Sequence, residues 1–162
     1  MANLAAVKVA PGGDVCFKSF AQADLVVDLA GWYTPGVDGS GFVSPDPVRL
    51  FDTRSPAQAP NGVVGPLASG SELAVQLAGA GVVPANATAV ALNVTAADPA
   101  EAGYAKVYPC GTSSVISNVN YEPHQVAAAN LAVVKLSEDG RVCFASFATT
   151  DLIVDLAGWF TN

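Results

Sequence analysis

Apolar and polar positions alternate with a period of two along nearly the whole chain. At that spacing successive side chains point to opposite faces of a strand. The segment 48–52 reads VRLFD, 71–78 reads SELAVQLA, 89–96 reads AVALNVTA and 103–109 reads GYAKVYP. Each is bounded by clusters of Gly, Pro, Asn, Asp or Ser, the residues that turn a chain. Next comes SVISNVNY at 114–121, which sets Asn118 and Asn120 on one face if fully extended. Three more alternating runs end the chain at 130–136, 141–147 and 151–160, with the turn SEDG at 137–140. No segment carries a convincing helical stripe. The segment 21–32, AQADLVVDLAGW, can be forced into one, but its paired valines, its glycine and its aromatic ending favour a strand.

The last three runs also occur at the front of the chain. Residues 2–35 read ANLAAVKVAPGGDVCFKSFAQADLVVDLAGWYTP and residues 129–162 read ANLAVVKLSEDGRVCFASFATTDLIVDLAGWFTN. They align without a gap at an offset of 127, with 22 of 34 positions identical. A repeat of that fidelity marks tandem duplication. The chain therefore divides into a partial repeat at 2–35 supplying about three strands, a Pro/Gly-rich linker at 36–47 and a complete unit at 48–162. Short antiparallel strands with Pro/Gly-rich turns predict an all-β fold, an antiparallel Greek-key β-sandwich. A β-trefoil-like barrel is the alternative, but no threefold internal pattern is visible. The partial repeat carries a row of β-branched and aromatic residues too apolar to leave in water. It is expected to add β-structure to the body, or to pair with another chain through its strand edges and give a homo-oligomer or filament.

Composition excludes some partners. The net charge is −7 and the seven basic residues are spread singly, so no basic patch exists and no nucleic-acid binding is expected. No apolar run approaches the roughly 18 residues of a membrane span, so no membrane insertion is expected. The first twenty residues lack the basic and apolar regions of a signal peptide. An acidic, weakly charged surface rich in Thr, Ser and Asn suits an extracellular or cell-surface protein, or a phage or other assembled particle.

Three cysteines are present. Cys16 and Cys143 hold equivalent places in the two copies, and Cys110 lies in YPCG, which has no copy upstream. The simplest reading is a Cys110–Cys143 disulfide with Cys16 left over. Three reduced cysteines, or a Cys16–Cys110 pair, are the alternatives.

Asp28 and Asp155 sit inside apolar strands, in VVDLAGW and IVDLAGW. A buried carboxylate needs a partner. Arg49 and Arg54, flanking Asp52 in VRLFDTR, are the internal candidates, giving an Asp–Arg network that pins the first strand to the last. A calcium loop has no sequence support, and no Cys/His spacing suits zinc. His124, the sole histidine, reads as a solvated loop residue. No nucleophile elbow occurs, so no catalytic residue, metal or cofactor is expected. Trp32 and Trp159 follow Gly in the repeated AGW, and with Tyr33, Tyr121, Asn118 and Asn120 they are candidates for a protein interface or a glycan platform.

Several separated strings, VRLFDTR at 48–54, AGAGVVPANATAVALNVTAADPAEAGYAKVYPCG at 78–111, SNVNYEP at 117–123, NLAVVKLSEDGRVCF at 130–144 and LIVDLAGWF at 152–160, together resemble a β-rich repeat of secreted actinobacterial proteins. That repeat occurs singly or in tandem, often beside cell-wall hydrolase, protease or adhesin-like regions. The likeness covers about 40–162, and 2–35 matches the last third of the pattern. It implies an extracellular accessory module with no catalytic chemistry to carry over. The expected function is a non-catalytic structural or assembly module of a bacterial surface, wall-associated or phage-like particle. A carbohydrate-binding, lectin-like module engaging a cell-wall or surface glycan is the alternative. A glycan hydrolase would require Asp52 or Asp155 to face another carboxylate across a cleft of roughly 5–9 Å.

Overall fold

The computed structural model describes residues 4, 7, 9–32, 41–46, 48–58 and 64–162. Among the described residues nine strands form: β1 (Gly41–Val43), β2 (Val48–Asp52), β3 (Glu72–Gln76), β4 (Ala87–Ala97), β5 (Gly103–Pro109), β6 (Val119–Tyr121), β7 (Ala127–Lys135), β8 (Arg141–Ser146) and β9 (Asp151–Thr161). One sheet runs β1-β9-β4-β7, with β2 also paired to β9, and the other runs β3-β8-β5-β6. Every pairing is antiparallel. The expected all-β sandwich is observed, and its sheets stay open rather than closing into the alternative barrel.

The period-two pattern puts one face of each sheet inside. Val90, Leu92 and Val94 of β4 meet Leu152, Val154 and Leu156 of β9, while Val142 and Phe144 of β8 face them from the second sheet, all fully buried. Phe51 and Phe144 meet edge to face with ring centroids 5.2 Å apart. Each such aliphatic or aromatic side chain contributes about 1.5–3 kcal/mol on leaving water, so this layer dominates the stability. The turns follow their residues: Gly140, with φ of 77°, closes the β7–β8 connection against Ala78, where a Cβ would lie 2.5 Å from the Ala78 methyl.

The last three strands occupy structurally central places. β8 lies between β3 and β5, β9 lies between β4 and the β1/β2 pair, and β7 flanks β4 at the sheet edge. The segment repeated at the front of the chain is thus the one that supplies the middle of both sheets.

Three expectations change. Gly41–Val43, inside the expected linker, is a strand paired with β9. The strand expected over 114–121 shrinks to Val119–Tyr121, because the Asn118 side chain bends back to accept the Val107 amide at 2.7 Å. Residues 9–32 form no strand and lie exposed. Every ladder place their sequence fits is already filled by β7, β8 and β9. A turn does form at 11–13: the Ala10 amide donates to the Asp14 carbonyl at 3.0 Å and the Gly13 amide to the Ala10 carbonyl at 2.9 Å. Leu4, at the start of this copy, donates its amide to Asn130 Oδ1 at 3.2 Å, on the edge strand β7. The expectations for 2, 3, 5, 6, 8 and 33–40, Tyr33 included, fall outside the described residues.

Candidate functional site

VRLFDTR builds its network at the end of β2. Antiparallel register sets Arg49 directly opposite Asp155 on β9, and the Arg49 Nε donates to Asp155 Oδ1. Arg49 Nη1 also reaches Asp52 Oδ2 at 3.2 Å. Asp52 is buried, and Arg54 grips it with Nε on Oδ1 at 2.9 Å and Nη2 on Oδ2 at 2.7 Å, while the Arg54 amide adds a bond to Oδ1 at 3.0 Å. The Arg54 hydrogen bond holds the Asp52 carboxyl below the usual carboxylate range, against the opposing effect of burial, and Arg49 adds to the lowering. Asp28, the first-copy equivalent of Asp155, lies exposed in the strandless segment and does not enter this network.

Thr53 completes the tie, and sequence reasoning passed it over. It is fully buried. Its Oγ1 donates to Asp151 Oδ1 at 2.7 Å and accepts the Leu152 amide at 3.1 Å, while its amide donates to the Leu152 carbonyl at 3.0 Å. The signal was a hydroxyl lodged between two charged residues in DTR. Chemically, the cluster joins strands: Asp52 and Asp155 share one guanidinium rather than facing each other across a cleft.

Cys110 and Cys143 form a disulfide with Cα atoms 4.9 Å apart, tying the chain just past β5 to β8, and Cys16 is an exposed free thiol. Beside the bridge, the Tyr108 hydroxyl donates to Glu72 Oε2. Burial first, then the Glu72 hydrogen bond and charge, push the Tyr108 phenol up to about 12.

Among the described residues, the aromatic and amide candidates do not converge. Trp159 is half-buried and packs on the core, whereas Trp32 is exposed. Tyr121, expected as an interface or glycan residue, is instead buried on β6, the edge strand of the second sheet. Its hydroxyl meets Ser146 Oγ at 2.6 Å, donates toward the Tyr104 and Ala148 carbonyls and accepts the Ala148 amide at 3.2 Å. Gly103, across the ladder, lets that ring lie flat: a Cβ there would come within 3.0 Å of it. Alternation in VNY pointed Tyr121 inward with Val119, and that was the signal available. Asn118 is committed to the backbone, accepting the Val107 amide with its side chain and the Asn130 amide group with its carbonyl at 2.8 Å. Asn120 is exposed and paired with Ser117. The outward aromatics that do stack are Tyr104 and Phe147, with centroids 5.2 Å apart.

Two open depressions flank the 137–140 turn. One, of about 230 Å³, is lined by Gln76, Ala78, Ala85 and Glu138. The other, of about 610 Å³, runs beside the disulfide past Lys135, Glu138, Asp139 and Arg141. Arg141 and Ser137 both hold Asp139 from within the turn. Among the described residues no three His, Cys, Asp or Glu side chains gather where a metal could sit, and no helix is long and apolar enough to cross a membrane. No family model, curated protein or solved structure matches the chain.

Proposed function

We propose that the chain is a non-catalytic structural module of a bacterial surface, wall-associated or phage-like particle, assembling through residues 2–35. One observation carries this reading. The chain holds two near-identical sequences for the same three places in one sandwich, and the described stretch of the copy not in use, residues 9–32, lies exposed. Phe17 is 60% exposed where its equivalent Phe144 is 0%, and Leu29 is 77% exposed where Leu156 is 1%. Val15, Leu25, Val26, Val27 and Trp32 extend that apolar surface. A monomer rarely keeps such a stretch open, and surfaces of this kind mark association sites. The disulfide supports an oxidising, extracellular location. The resemblance to secreted actinobacterial repeats points the same way.

The carbohydrate-binding alternative is left with dispersed groups. Tyr121 and Asn118 are committed inside the fold, and Trp32 and Trp159 lie in different copies.

Sedimentation decides the assembly reading. The full chain and a shorter chain beginning at Gly41 are compared over a wide concentration range. The full chain is expected to show dimers or higher species and the shorter one a monomer. Equal monomer masses at high concentration would overturn the reading.

A further inference from the structure

The two strand sets are equivalent in more than sequence. Of the fifteen buried positions in 129–162, twelve are occupied by the same residue in 2–35. The three exceptions are Leu136, Thr150 and Ile153, matched by Val9, Ala23 and Val26. All three replacements are smaller and none adds a polar group. The other nineteen positions keep only ten identities, so what is preserved is the inward face. Gly31 matches Gly158, where the Phe42 ring lies so close that a Cβ would come within 2.4 Å of it. Asp28 matches Asp155, which faces Arg49. Cys16 matches Cys143, which bonds Cys110.

The first copy already forms one piece of the same local structure. Its Ala10–Asp14 turn, with the Ala10 amide on the Asp14 carbonyl and the Gly13 amide on the Ala10 carbonyl, reproduces the bonds of Ser137 to Arg141 and Gly140 to Ser137. Gly13 has φ of 89° where Gly140 has 77°.

Connectivity permits the substitution within one chain. β1 pairs with β9 so that Gly41 lies opposite Thr161, Phe42 opposite Phe160 and Val43 opposite Trp159. In first-copy numbers those partners are Thr34, Tyr33 and Trp32. A strand ending at Thr34 would turn back into β1 through residues 35–40, a six-residue connection of ordinary hairpin-like length. Residues 2–35 precede β1 in the chain, so their entry makes a circular permutation of the same sandwich and threads no loop.

We propose that residues 2–35 are an alternative occupant of the slots now held by 129–162 in their own chain. In the exchanged form 2–9 lies along β4, 14–19 lies between β3 and β5, and 24–34 lies between β4 and the β1/β2 pair. Residues 129–162 are then released with their apolar face free. The form seen in the structure is the favoured one for a stated reason. Val9 and Val26 fill less volume than Leu136 and Ile153, and Ala23 cannot supply the bond from Thr150 Oγ1 to the Ala97 carbonyl at 3.0 Å. Exchange deepens the assembly reading by making either copy the donor strands. It rests on that reading only for what the released set then engages.

The disulfide reports the exchange. In the wild-type chain the Cys16 thiolate attacks Cys110 Sγ, a new Cys16–Cys110 bond forms, and Cys143 leaves as a thiolate, with no net oxidation. In a Cys143→Ser chain the bond forms with glutathione disulfide as oxidant: Cys16 and Cys110 give up two protons and two electrons, and two glutathione thiols result. The test oxidises the full-length Cys143→Ser chain in a glutathione buffer and maps its disulfides by mass spectrometry. Sedimentation separates monomer from dimer first. The expected result is a Cys16–Cys110 bond within the monomer, and a Val27→Asp substitution in the same chain lowers its yield about tenfold or more, since an unpaired charge would enter the place Val154 holds. Free Cys16 and Cys110 after oxidation overturn the proposal. So does a bond found only between chains, or one indifferent to Val27→Asp. Should Cys143→Ser not fold, the wild-type chain in the same buffer gives the answer: a Cys16–Cys110 fraction with Cys143 alkylated supports exchange, and its absence refutes it. Because the bond is scored within the monomer, failure of the assembly reading leaves this outcome unchanged.

Discussion

At Asp52 a single carboxylate is buried between two guanidinium groups, and the balance of desolvation and pairing is decided by geometry. Removing the charge leaves Arg49 and Arg54 facing a neutral amide. Asp52→Asn is expected to cost about 1–2 kcal/mol in urea unfolding, less than a fully buried pair because both arginines it leaves reach water. It should also flatten the acid limb of the stability profile. The sign follows from the lowered folded value. The unfolded carboxyl, near 3.9, takes up its proton first. The contribution of Asp52 is therefore complete above roughly pH 5 and is lost as pH falls through the folded value. An acid limb unchanged by the substitution would show that other carboxylates set it. Tyr108 has the opposite sign. With its phenol pushed up to about 12, its contribution is complete below the unfolded value of about 10 and is lost as pH rises toward 12. An absorbance titration should show a late phenol that disappears in Tyr108→Phe. In Glu72→Gln that phenol should titrate earlier while staying above 10, since burial is the larger cause.

At the scale of the element, β9 depends on a residue without a side chain. Gly158 gives Phe42 its place and leaves the Val43 carbonyl only 2.5 Å from where a Cβ would be. The Gly158→Ala methyl meets backbone, which cannot rotate away. It is expected to peel β1 from β9 at a cost of about 1–3 kcal/mol, seen as faster amide exchange over Gly41–Val43 with the β4–β9 ladder retained. Unchanged exchange there would mean β1 is not held at this point. Most strands were legible, because a half-buried antiparallel strand shows its alternation directly: 48–52 and 103–109 correspond to β2 and β5 as observed. The miss at 114–118 has a local cause. Asn118 satisfies a backbone amide that a continued ladder would have used, and alternation alone does not reveal that competition.

Across the whole molecule the disulfide joins the end of β5 to β8, a central strand of the second sheet. Cys110→Ser with Cys143→Ser should lower stability by about 2–4 kcal/mol by freeing the unfolded chain. A change under about 0.5 kcal/mol in chemical unfolding would show that the ladder alone fixes this join. That Cys110 is one partner was legible, because it alone has no repeat equivalent; that Cys143 and not Cys16 is the other follows from which copy forms the strand beside β5. The Asp–Arg tie was legible in part: Arg49, Asp52, Arg54 and Asp155 converge, but Asp28 does not. Two residues with the same neighbours in sequence were separated by which copy held the slot.

Short-range alternation was enough for the all-β class, the sandwich and most strands of 48–162, and the offset of 127 was enough for the repeat, whereas which cysteine pairs with Cys110 and whether the first copy forms strands were left to the folded chain. The tertiary structure alone decided which of two nearly identical segments is inside. The inward faces of 2–35 and 129–162 differ by three side chains, and no local propensity separates them. One sandwich offers one place between β3 and β5 and two beside β4, and the three are filled by β8, β7 and β9. Inside, Leu136, Thr150 and Ile153 stand where the first copy has Val9, Ala23 and Val26, and the Thr150 hydroxyl bonds the Ala97 carbonyl.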